Sequence, residues 1–188
     1  MRPEILRTLP LLLAISVVPA SVSGQAADPQ GGFWWEVSAA AGAGRLTCSL
    51  CDRTRELGPS VGASIGAYAT PTFRVGVDGA YWSHDDDGDR ETVYRAGLVG
   101  QLHPRPGKGL HLIGGVGWSG YRAEALGYDA ARLTLGVGWD LRLTDTWMVG
   151  NRLTVDGSSY GSLNNEDTPV AQPVGLSVVR LGVYLRKR

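Results

Sequence analysis

From Phe33 onward, apolar and polar residues alternate, and no helical period competes with that pattern. A period of two means strands whose successive side chains point to opposite faces. The alternation comes in eight segments, at about 33–45, 60–70, 72–83, 92–103, 109–122, 130–143, 146–156 and 174–186, separated by turn-forming residues. Eight such segments in 188 residues fix an all-β chain and leave room for one domain.

The two faces differ in kind. One carries Val61, Ile65, Val75, Val77, Leu98, Leu112, Val116, Leu133, Leu135, Val137, Leu153 and Val155, with no charge in the six middle segments. The other carries Arg74, Asp78, Arg95, Arg132, Asp140, Arg142, Arg152 and Asp156, with His103, His111 and Gln101. The outer segments add Glu36 and Arg180 to the charged face. The last segment has an uncertain phase at Val178–Val179, which points to a bulge there.

A soluble sandwich or barrel would turn the charged face to water, and that face would then look like a soluble surface. It does not. Lys and Arg total 18, of which only Lys108 and Lys187 are Lys, and they balance 18 Asp and Glu. The chain also holds 27 Gly, about twice the ordinary share. Both facts suit a narrow barrel interior, where charges pair and small residues make room. The apolar face then meets lipid.

The aromatic residues sort accordingly. With strand directions alternating, outward Phe33, Trp35, Phe73, Trp139 and Trp147 fall at one end, and outward Tyr81, Tyr94 and Trp118 at the other. These are the two girdles of a membrane barrel. Links at the first end are short (70–72, 103–109, 144–146), and most of those at the second are longer (47–59, 84–91, 122–129, 157–173). The fold class expected is an all-β, eight-stranded, antiparallel, up-and-down transmembrane β-barrel.

Residues 1–26 read as a secretory signal: charged Arg2, Glu4 and Arg7, an apolar run from Leu9 to Ala20, then small residues through Gly24 and Ala26. Residues 27–32 form a periplasmic lead, and 33–188 the barrel. The exported chain holds 16 basic and 17 acidic side chains, a formal charge of −1, so no basic excess points to nucleic acid. Export favours a disulfide between Cys48 and Cys51; a redox or metal role lacks a following helix or a second ligand pair.

On the export segment, the eight alternating segments, the girdles and the loop asymmetry, the chain resembles the small eight-stranded outer-membrane barrels that include the membrane domain of OmpA, OmpX and the opacity proteins. The resemblance covers nearly all of the exported chain. It implies a monomer in the bacterial outer membrane, in contact with lipid and lipopolysaccharide and inserted by the barrel-assembly machinery, with no cofactor. One departure is the end of the chain. Tyr184 is followed by Leu185-Arg186-Lys187-Arg188, where the family ends on an aromatic residue.

Three motifs invite chemistry. Gly115-Val116-Gly117-Trp118-Ser119-Gly120 matches a dinucleotide fingerprint, but it lies inside an alternating strand with no helix after it. Asp85, Asp87 and Asp89 are the nearest approach to a metal set, in a run that also reads as a solvated hairpin tip. Ser83-His84-Asp85 is the only Ser, His and carboxylate grouping at the outer end, and triad partners normally come from separate segments. The function expected is therefore non-enzymatic: envelope-structural, loop-presenting or porin-like. The alternatives are a transporter for small hydrophobic molecules and, further off, a lipid A-modifying enzyme.

Overall fold

The computed structural model describes residues 32–48, 51, 54–86, 89–105, 107–124, 126–165 and 168–188. The export segment and most of the lead lie outside these residues, as does Asp87. The strands are β1 (Phe33–Thr47), β2 (Glu56–Thr70), β3 (Phe73–Asp86), β4 (Asp89–Leu102), β5 (Leu110–Ala123), β6 (Leu126–Arg142), β7 (Trp147–Ser158), β8 (Gly161–Asn165) and β9 (Thr168–Lys187). Each of β1 to β6 pairs antiparallel with the next, β7 pairs with β9, and β9 returns to β1. The result is a closed barrel of eight long strands, with no helix among the described residues. Closure removes every free edge at membrane depth and satisfies the backbone there.

The strands sit where the alternation places them, with three differences. They run further at the outer end. β2 starts at Glu56, β4 at Asp89, β6 at Leu126 and β9 at Thr168, so most of two anticipated long loops is paired strand. Cross-strand pairing satisfies those backbone groups above the bilayer as it does within it. Second, part of the 157–173 connection forms β8, which pairs with the start of β9 and touches β6 through Leu126↔Asn165 and Gly127↔Asn164.

Third, no bulge occurs at Val178–Val179. The register of β9 runs unbroken through Gly44↔Val178 and Ala43↔Val179 on one side and Asp156↔Val178 on the other. Val178 is buried inside, because the phase of β9 holds from Val174 through Leu176, Val178, Arg180 and Tyr184 to Arg186. Two adjacent valines hide a phase that geometry keeps.

The start of β1 and the end of β9 lie at the same end of the barrel, since Trp35 pairs with Lys187. The outward face is the apolar one. Leu98, Val116, Leu133, Leu135 and Leu181 are all more than half exposed. Between the girdles its only strongly polar outward side chain among the described residues is Asn151; Asp129, Arg122 and Lys187 mark the two limits.

Candidate functional site

The girdle residues face outward. Phe33, Trp35, Phe73, Tyr81, Tyr94 and Trp118 are exposed, and Trp139 and Trp147 partly so. Trp35 and Trp147 meet edge to face with centroids 5.5 Å apart at the end that holds the termini. At the other end Tyr94 donates to Asp129 at 2.7 Å, and Arg122 bridges the same carboxylate at 2.7 Å.

Inside, the charges form two layers. The layer nearer the outer end is built on Asp78 and Asp156. Asp78 holds Arg95 at 3.0 Å and Arg132 at 3.1 Å. Asp156 holds Arg95 and Arg132, both at 3.1 Å, and also Arg180, and it accepts from the Thr134 hydroxyl at 2.5 Å. The layer nearer the termini is built on Glu36 and Asp140. Glu36 takes Arg152 and Arg186, the latter at 2.7 Å. Asp140 takes Arg74 at 2.7 Å and Arg186 at 2.9 Å, and accepts from the Tyr184 hydroxyl. Burying charges is tolerable only with such multiple pairing.

The alternation anticipates nine of these inward charges and misplaces one. Arg142 ends β6, is exposed and pairs at 2.8 Å with Asp145 in the turn. It has the right phase, but it lies below the interior layers, where water reaches it. The reading misses Arg186, which has no exposed surface and joins both carboxylates of its layer. Its signal was present: it continues the even-numbered phase of Arg180 and Tyr184.

Interior aromatics were also missed. Trp34 and Trp82 are buried, and the Arg186 guanidinium lies 5.6 Å from the Trp34 ring centroid. Glycine makes space for these bulky groups. A Cβ on Gly44 would sit 2.9 Å from the Trp82 ring, and one on Gly97 2.8 Å from Arg132 Nη2. The Gly115–Gly120 run is likewise interior and wall packing on β5.

Above the outer ionic layer, Trp82, Val93, Tyr121 and Tyr128 are neighbours in register across β3 to β6 and form an aromatic and apolar ring. Leu176, Val178 and Val174 from β9 and Leu163 from β8 join it. Above the ring opens a cup of about 370 Å³, walled by Leu46, Trp82, Val93, Tyr121, Leu163 and Leu176 among others. Cys48 and Cys51 are bonded to each other at its edge. Below it, beside Arg95, Arg132, Asp156 and Arg180, lies a small cavity of about 10 Å³, at the limit of what a single water needs.

The other candidate groupings do not assemble. Alternation sets His84 inward, where it meets Glu56 at 3.3 Å, and turns Ser83 and Asp85 to the outer face. Asp85 pairs across the hairpin with Arg90, while Asp89 opposes Asp86, so Asp85 and Asp89 lie on opposite faces. A grouping absent from the sequence reading is His103, His111 and Asp140, whose ligand atoms lie within 4.8 Å of one another. Arg74 and Arg186 already neutralise that carboxylate, and a dication there would stand against two guanidiniums, so the donor set does not suit a metal.

No protein-family model matches this chain, and no curated protein matches it. Solved structures do. Neisserial surface protein A aligns with a TM-score of 0.58 at 16% identity, covering 82% of this chain and 97% of that one. Ail, the attachment invasion locus protein of Yersinia pestis, aligns at 0.52 and 11% identity, covering 81% and 97%. The outer membrane protein OprG from Pseudomonas aeruginosa aligns at 0.49 and 12%, covering 84% and 96%. At these identities the likeness is one of fold, and the fold is that of the small eight-stranded outer-membrane β-barrels.

Proposed function

We propose that this chain is an exported, monomeric outer-membrane barrel that is closed to solutes, does no chemistry and presents its tall outer mouth at the cell surface. One observation carries the reading: two layers of ion-paired side chains cross the interior, and the pocket beside the outer layer, beneath the cup, holds only about 10 Å³. An eight-stranded barrel has room for side chains and little more. Salt-bridged side chains in that space act as a plug.

The apolar belt and its two girdles suit a bilayer core bounded by lipid headgroups and lipopolysaccharide. The transporter alternative needs a side exit through the wall. Neighbouring strands are paired in continuous register around the barrel at membrane depth, with a shift only at Tyr68/Thr70 near a turn. Against the enzyme alternative stands the outward turn of Ser83 and Asp85 away from His84.

Reconstitution in planar bilayers tests the reading. The mature protein should insert, should migrate faster in detergent gels unboiled than boiled, and should give no stepwise conductance. A sustained current whose ion selectivity changes in Glu36→Gln or Asp78→Asn would overturn the closed-barrel reading. Identical migration of boiled and unboiled samples, with solubility in the absence of detergent, would overturn the membrane reading itself.

A further inference from the structure

The cup has a chemistry that a closed plug does not need. At about 370 Å³ it is within the range of small-molecule sites and larger than the roughly 150 Å³ cavity that holds a benzene. Its wall is apolar and aromatic, from Trp82, Val93, Tyr121, Leu163, Ala171 and Leu176. Two carboxylates enter from the inward phases of their strands, Glu56 on β2 and Glu91 on β4.

The two carboxylates differ. Glu56 is occupied: Thr54 donates to it at 2.8 Å and His84 lies 3.3 Å away. Glu91 accepts one hydrogen bond, from the Tyr121 hydroxyl at 2.8 Å, and among the described residues no cation pairs with it. The single basic residue of the wall, Arg45, branches from the outward phase of β1 between inward Gly44 and Leu46; its Nε is buried without a hydrogen-bond partner, and it makes no ion pair with Glu91. The nearest inward guanidiniums, Arg95 and Arg132, are committed to Asp78 and Asp156 below the ring. A carboxylate with no ion pair, held by a phenol and sharing an apolar cavity with an indole, is an environment that favours an organic cation.

We infer that the cup is a binding site for a small organic cation with an apolar body, an alkyl or aryl ammonium compound. The apolar body fills the space against Leu163, Ala171 and Leu176. The ammonium sits between Glu91 and the aromatic faces of Trp82 and Tyr121. The inference goes beyond the closed-barrel reading and does not depend on it. A barrel that conducts and still binds such a cation overturns that reading alone, and a closed barrel that ignores the cation overturns this one alone.

The test uses the mature protein in nanodiscs of zwitterionic lipid, with empty nanodiscs to subtract partitioning. Octyltrimethylammonium, octan-1-ol and octanoate are titrated below their micellar concentrations, and the Leu163 and Leu176 methyl signals are followed by NMR. Saturable binding is expected in that order, with the cation about tenfold tighter than the alcohol. Glu91→Gln keeps the acceptor for Tyr121; it should erase the cation's advantage and leave the alcohol unchanged. Ala171→Trp should abolish saturation by all three. The inference fails if octanoate matches the cation on the unaltered protein. It fails equally if Glu91→Gln changes nothing while its gel migration stays heat-modifiable, or if Ala171→Trp still saturates.

Discussion

Asp156 shows what a single interior side chain does. Its carboxylate meets Arg95, Arg132 and Arg180 and the Thr134 hydroxyl. Replacing it with Asn keeps the volume and leaves buried guanidiniums short of a counter-charge. Removing one partner of a buried ion pair costs about 3–5 kcal/mol. Asp156→Asn should therefore lower unfolding stability by about that much, read from urea unfolding in lipid vesicles. Arg142→Gln is the matched control. Arg142 has the same phase but pairs with an exposed Asp145, and surface pairs contribute about 0–1 kcal/mol. Equal losses in the two variants would mean that the interior layers do not hold the barrel together. Both residues look alike in sequence, because alternation reports which face a residue is on and says nothing of how deep it lies.

At the scale of the strand, the same alternation divides the work between lipid and interior. Leu135 lies midway along β6 on the outward face, paired with Gly114 and Val155. An Arg there would meet lipid near the bilayer midplane, at a cost of about 2–4 kcal/mol. Leu135→Arg should show that loss in the same vesicle assay. Lys187→Leu, at the lower limit of the belt, should change stability by under about 1 kcal/mol. If the two behave alike, the outward face is not lipid-facing.

The strand is also the scale at which sequence was most legible. Eight alternating runs, their faces and their two aromatic ends followed from residue types alone, because a two-residue period leaves one arrangement of faces per strand. What was not legible has two physical causes. The hairpins at the outer end look like loops because their turn residues are polar and acidic, yet cross-strand pairing carries them upward as strands. The cup could not be foreseen, because its walls come from β1 to β6, β8 and β9 together. Glu91 and Tyr121 meet across thirty residues of sequence through the β4–β5 pairing, while the opposite wall from β8 and β9 joins them only once the barrel closes.

The whole molecule sets two ionic layers in series, and on the proposed closed reading this makes closure harder to undo than either layer suggests. Each layer spans the lumen with its own carboxylates and guanidiniums, on Asp78 and Asp156 in one and on Glu36 and Asp140 in the other. An ion crossing the barrel would have to pass both. Emptying one layer leaves the other as a complete barrier, so the effects on conductance cannot add. A variant with Asp78, Arg95, Arg132 and Asp156 changed to Ser removes two acids and two bases and keeps the net charge. It should fold with reduced stability, retain heat-modifiable migration and still pass no current. Extending the change to Glu36, Asp140, Arg152 and Arg186 again removes two of each sign, and only this variant should conduct. Arg74 and Arg180 then remain inside without a carboxylate partner, so the current should be carried mainly by anions, measured as a reversal potential in a salt gradient. Current from the first variant alone would show that the plug is a single layer. A cation-selective current from the second would show that the remaining guanidiniums do not line the path.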